Sequence, residues 1–175
     1  PYNLLNLNVS ELNVLRFYAG GESLWINNYL RDRHMTDLKT EQKSKLKKYS
    51  EDIHKIIKKN PPSSAPCIVY RGAEAIDKSW KELKVGEDLE FTKKGIISTS
   101  VSYKTAINFI EEDEDCCLLV LYLPKGTRGL DIPGDVFDED ELILPHGCNF
   151  KIASIYDVGY NDKMYKTYYA LLLNP

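Results

Sequence analysis

Over the first third of the chain, apolar residues recur at helical spacing. Ser10 is placed to cap a helix carrying Leu12, Leu15 and Tyr18, with Gly20-Gly21 as its natural stop. A second helix is predicted where Trp25 with Tyr29 and Ile26 with Leu30 fall four residues apart, on common faces. A third, capped by Thr40, aligns Leu46, Tyr49, Ile53 and either Ile56 or Ile57 in one stripe. The run Asn60-Pro61-Pro62-Ser63-Ser64-Ala65-Pro66 ends this pattern, because proline lacks the amide hydrogen a helix needs.

Beyond Pro66 the texture changes to short β-rich runs. Cys67–Arg71, Gly95–Val101, Cys116–Leu123, Glu141–Leu144, Asn149–Val158 and Met164–Leu173 predict strands. One helix, capped by Ser102 and carrying Ala106, Phe109 and Ile110, interrupts them. Helices first and strands afterwards predict an α+β fold with mostly antiparallel sheet, since the alternating βαβ units of a parallel sheet are missing. Helices alone would make a marginal domain, so the proline-rich break reads as an internal loop. The chain is expected to form a single domain over 1–175, helical over 1–60 and β-rich over 67–175.

Composition narrows the function classes. Hydrophobic residues at 43% and charged residues at 28% are ordinary for a globular protein and exclude a disordered or collagen-like chain. The net charge of −3 gives no average field favouring nucleic acid. Charge is uneven, however: Lys39 to Lys59 holds eight lysines against three acids, at a spacing that reads as a solvated helix face. Cys67, Cys116, Cys117 and Cys148 show no C-x-x-C spacing and are expected to be free thiols. His34, His54 and His146 are scattered without zinc-ligand spacing, so no metal is implied. The apolar runs fall far short of the roughly 20 residues that span a bilayer. Starting at Pro1 without an initiator Met or a signal-peptide pattern, the sequence suggests a processed chain or a piece of a longer one.

The motifs of several common chemistries are missing. There is no G-x-S-x-G elbow, P-loop, G-x-G-x-x-G after a strand or H-E-x-x-H. Three separated features remain. Val69-Tyr70-Arg71-Gly72 closes an apolar strand on an arginine, whose planar guanidinium suits a diphosphate when it projects into a cleft. Gly95-Ile96-Ile97-Ser98-Thr99-Ser100 delivers three hydroxyls in succession, with Ser98 and Ser100 on one face and Thr99 on the other. Glu139-Asp140-Glu141 ends an acidic loop, ordinarily a solvated turn. Here Glu141 enters an apolar strand, where a carboxylate loses water and must find a partner.

In this order, Arg71, Ser98-Thr99-Ser100 and Glu139-x-Glu141 resemble the signature of the toxin-like mono-ADP-ribosyltransferases. Tyr18 followed by Ile26-Asn27-x-x-Leu30-Arg31 is similar to that family's helical pattern at the NAD pocket. Phe109 falls where relatives of the actin-modifying branch stack an aromatic on nicotinamide. Two positions depart from the pattern: Phe137, the loop aromatic that would help recognise the target, stands one place nearer the glutamates, and Glu112 stands where a basic NAD contact is expected.

The resemblance implies helices packed on a two-sheet β core and an enzyme that consumes NAD, without metal, to place ADP-ribose on a host protein side chain. It implies a monomeric catalytic domain, secreted or delivered into a host cytosol, with actin as the first candidate target. Arg71 would hold the diphosphate, Gly72 would belong to the NAD site beside it, Thr99 and Ser100 would line the pocket, and Ser98 would hold Glu141 in place. Glu141 would face the ribosyl cation that forms as the glycosidic bond breaks. Glu139 would orient an arginine acceptor and take its proton. Two alternatives stay open: an NAD glycohydrolase, with water as acceptor, and an inactive binding module of the same fold.

Overall fold

The computed structural model describes residues 2, 7–19, 23–31, 36, 38–74, 82–110, 116–132 and 140–175. Helix α1 (Val9–Phe17) starts one turn earlier than its apolar stripe suggests. Asn8 Oδ1 accepts from the Glu11 backbone N–H at 2.8 Å, and the Glu11 carboxylate accepts from the Asn8 N–H at 3.0 Å. This capping box, and not Ser10, opens the helix, because Ser10 already lies inside the first turn. Gly20-Gly21 falls outside the described residues. In α2 (Ser23–Leu30), Ile26 is fully buried and Tyr29 and Leu30 pack against the same core, whereas Trp25 is 44% exposed.

Helix α3 (Thr40–Lys59) follows Lys39, whose backbone N–H donates to Gln42 Oε1 at 2.9 Å, so Thr40 is the first helical residue and not the cap. Leu46, Ile53, Ile56 and Ile57 are all buried, since the helix has both other helices and the sheet to cover. Phe17 of α1 stacks on Tyr49 at 3.9 Å. At the far end Asn60 Nδ2 donates to Gly129 O at 2.7 Å and Arg128 Nη1 to Lys58 O at 3.0 Å, tying the helix terminus to the chain before the next strand. The lysine run is the solvated face expected: Lys45–Glu41, Lys47–Glu51 and Lys48–Asp52 are exposed pairs one turn apart.

Among the described residues seven strands follow: β1 (Cys67–Glu74), β2 (Ile97–Ser100), β3 (Cys116–Leu123), β4 (Leu130–Ile132), β5 (Glu141–Leu144), β6 (Phe150–Tyr160) and β7 (Lys163–Leu172). The short helix α4 (Tyr103–Asn108) lies between β2 and β3, and Ser102 caps it by accepting from Thr105 N at 3.2 Å. Strand order is β4-β5-β2-β1-β3-β7-β6, antiparallel throughout except β3 beside β7. The two sheets expected are therefore one sheet. β1 pairs along its length with β3, but shares with β2 a single aligned pair, Tyr70 opposite Ser100. Strong curvature accounts for the difference, for Leu142 and Leu144 of β5 join one buried cluster with Phe150 and Ile152 of β6 at the far end of the order.

Helices cover the other face. α1, α2 and α3 pack on Leu130, Ile132 and Ile143, while Ala106 and Ile107 of α4 pack on Leu118 and Val120. A β-carbon on Gly72 would strike the Ala106 carbonyl oxygen, so a bare backbone there lets α4 approach β1. All four cysteines are free thiols, and burial pushes Cys117 and Cys148 up to about 12, leaving them unreactive. No helix among the described residues is long and apolar enough to cross a membrane.

Candidate active site

Three strands and two helices bring the sequence motifs together. Arg71 lies within β1, and its Nη1 donates to the Ser98 carbonyl oxygen of β2. Its Nε is buried and has no hydrogen-bond partner among the described residues, which leaves a charged donor available in the interior. Burial lowers the guanidinium's pKa, and the nearby Tyr18 and Glu141 offset only part of that. Arginine still stays protonated in such surroundings.

On β2, Ser98 sits opposite Ile143 and Ser100 opposite Glu141, so both serines share the helix-covered face with the glutamate. The Ser98 hydroxyl bonds the Tyr18 hydroxyl at 3.0 Å. Ser100 Oγ accepts from Ser102 N at 3.0 Å, closing the turn into α4. Thr99 points to the opposite face, where its hydroxyl donates to Leu142 O at 2.7 Å and fastens β2 to β5. Glu141 opens β5 with only 9% of its surface exposed, between Ser100 on one side and Ile132 on the other.

Helices α1 and α2 supply the opposing wall. Tyr18 is almost fully buried at the end of α1, and burial raises its pKa. Bonds to Ser98 and Asn27 oppose that rise, and of the nearby charges Glu141 adds to it while Arg71 opposes it. Asn27 Oδ1 accepts from Ile96 N at 2.8 Å, so α2 grips the chain just ahead of β2. One turn on, the Arg31 guanidinium lies over Gly95.

The structure thus gathers Tyr18, Asn27, Arg71, Ser98, Ser100 and Glu141, with Gly72 under α4 and Arg31 on the flank beside Gly95. Phe109 is not core: it ends α4 with 54% of its surface exposed. Glu139, Phe137 and Glu112 lie outside the described residues. Sequence reasoning counted Gly95 only as the start of a strand. Its signal was a glycine directly ahead of the Ile-Ile-Ser-Thr-Ser run.

The profile of the ADP-ribosyltransferase exoenzyme family matches residues 2–173. Among solved structures, the chain is similar to Plx2a, an ADP-ribosyltransferase toxin from Paenibacillus larvae, at 21% identity and a TM-score of 0.76, covering 96% of this chain and 88% of that one. It is similar to Vis toxin, an ADP-ribosyltransferase from Vibrio splendidus, at 15% identity and a TM-score of 0.74, covering 97% and 75%. A third likeness is to the Clostridium limosum C3 exoenzyme, at 20% identity and a TM-score of 0.70, covering 97% and 87%. At such identities the likeness is one of fold. No match was found among curated protein sequences.

Proposed function

The chain belongs to the ADP-ribosyltransferase exoenzyme family, and we propose that its acceptor is an arginine side chain of a host protein, with actin the first to test. Like the family, it is an NAD-dependent mono-ADP-ribosyltransferase, consuming NAD as substrate and releasing nicotinamide. The observation that carries the site reading is Glu141, a nearly buried carboxylate on the same face as Ser98 and Ser100, within electrostatic reach of Arg71 and Tyr18.

Breaking the nicotinamide–ribose bond develops positive charge on the ribosyl ring. Glu141 offsets that charge and accepts a hydrogen bond from a ribose hydroxyl, and its burial makes the interaction stronger than in water. Arg71 holds the diphosphate through the donors left over from its bond to Ser98 O, so that the dinucleotide presents the scissile bond in a fixed pose. Gly72 and Ser100 belong to the same NAD pocket, together with Asn27 and Arg31 from the helical wall, and Phe109 stacks on nicotinamide; Thr99, expected to line the pocket, faces away from Ser100 and supports it by fastening β2 to β5. Tyr18 and Ser98 brace the centre through their mutual hydrogen bond. We take 1–175 as one catalytic domain, acting as a monomer without metal. It would be a secreted toxin working in the host cytosol, where free thiols are at home.

For the acceptor, a guanidinium is protonated at neutral pH and needs a carboxylate to bind it and remove a proton. Glu139 supplies one two residues before Glu141, with Phe137 ahead of it for target contact. Vis, of the same fold, forms a complex with agmatine, which ends in the guanidinium that arginine carries. The experiment is incubation with labelled NAD and purified actin or host lysate, followed by mapping of the modified side chain. Glu141→Gln is expected to lower both NAD hydrolysis and transfer on the order of 10²-fold or more. Glu139→Gln is expected to abolish transfer to arginine while hydrolysis continues. Label on a residue other than arginine, or free ADP-ribose with no labelled protein, overturns the acceptor assignment.

A further inference from the structure

Gly95 is buried just ahead of β2, and its backbone is not in the left-handed region, so no torsional demand requires glycine there. Space does. A β-carbon would stand 2.8 Å from Cζ and 2.9 Å from Nε of Arg31, and closer still to Nη2. The Arg31 guanidinium therefore occupies the space that a β-carbon would need. Its root is fixed as well, because Arg31 N donates to Asn27 O at 3.0 Å while the Asn27 side chain holds Ile96 N at 2.8 Å. The last turn of α2 is thus held on residues 95 and 96, and the guanidinium fills the room beside Gly95.

The contrast with Gly72 is informative. There an added β-carbon meets backbone, the Ala106 carbonyl and Ile110 N, which cannot retreat without moving α4. At Gly95 all three near atoms belong to the end of one flexible side chain, so the backbone can stay while the guanidinium leaves.

We propose that Gly95 is a positioning residue for NAD: its bare α-carbon is the seat that directs the Arg31 guanidinium to the dinucleotide's diphosphate, the only anionic part of NAD. This rests on the reading of Arg31 as an NAD contact. Gly95 touches no substrate itself, and its effect belongs to binding and not to the bond-breaking step.

The test compares the whole protein with Gly95→Ala, Arg31→Ala and the double variant. It reads thermal unfolding, kcat and KM for NAD, and calorimetric binding of ADP-ribose and of nicotinamide. Gly95→Ala is expected to melt close to the parent and to raise KM on the order of tenfold, with kcat held within about twofold. ADP-ribose binding should weaken in step with KM, while nicotinamide, which lacks the diphosphate, binds as before. In the Arg31→Ala background the added Gly95→Ala should change nothing further. Arg31→Lys combined with Gly95→Ala should match Arg31→Lys alone, since the slimmer ammonium clears the methyl group. An unchanged KM in Gly95→Ala beside a raised one in Arg31→Ala overturns the proposal and leaves the Arg31 reading standing. An unchanged KM in Arg31→Ala removes that reading and the proposal with it. Additive losses in the double variant, or a Gly95→Ala protein that does not fold, also overturn it.

Discussion

Arg71 is fixed by the strand beside it, with Nη1 on the Ser98 carbonyl and Nε left buried and unbonded among the described residues. Lysine keeps the charge but has one compact head, which cannot serve both that carbonyl and a diphosphate. Arg71→Lys is therefore expected to raise KM for NAD on the order of tenfold or more, as for loss of a charge-assisted hydrogen bond. Unaltered affinity and turnover would make the arginine a purely structural bolt. At this scale the sequence was most legible where chemistry is unusual for its place: an arginine after an apolar run, or a glutamate at the head of one. It was least legible where partners lie far apart. Nothing local to Tyr18 announces a bond to a serine 80 residues on, and nothing local to Gly95 announces an arginine above it.

Among the elements, α3 shows a dependence that no motif advertised. His54 Nδ1 bonds Ser50 O at 2.6 Å, and its Nε2 faces the backbone N–H of His146, just past β5, at 3.3 Å. An N–H needs a lone pair, so Nε2 must be unprotonated and the proton resides on Nδ1. The two imidazoles meet edge to face at 4.2 Å. Burial is the main cause lowering the His54 pKa; the bond to Ser50 opposes it, and the neighbouring His146 and Lys58 lower it further. With the folded value below the unfolded one near 6.5, the stability this contact gives is complete above about pH 6.5 and is lost as pH falls through the folded value. The melting temperature is thus expected to drop between pH 7.5 and 5.5, and to drop less in His54→Gln. Equal drops in both proteins would show that the clasp carries no proton linkage. Element boundaries were legible in proportion to the contrast of their flanks. Cys116–Leu123 and Glu141–Leu144 have the same bounds in sequence and structure, being apolar runs after charge. β4, with three residues, is too short for alternation to register, and the α1 cap was misplaced because Ser10 drew the reading away from the reciprocal Asn8–Glu11 pair.

For the whole molecule, class and strand direction were written in the order of the segments, but the continuity of the sheet was not, since it turns on tertiary pairing at Tyr70 and Ser100. That one aligned pair has a mechanical consequence. Strands β1, β3, β7 and β6 form one panel and β2, β5 and β4 another, so the line between them is where the sheet parts at least cost. Arg71 stands on one panel, Ser98 and Glu141 on the other, and the Arg71–Ser98 bond already crosses the line. A dinucleotide held by Arg71 and Glu141 together would act as a lace across that seam. Bound NAD is then expected to slow deuterium uptake most at the amides around Tyr70 and Ser100, with the β6–β7 ribbon nearly indifferent, when followed by mass spectrometry on the parent protein at times short against NAD consumption. Protection spread evenly over both panels would mean that the sheet breathes as one piece. Slowing confined to the seam would mean that the substrate stiffens the enzyme along the line it must bridge to react.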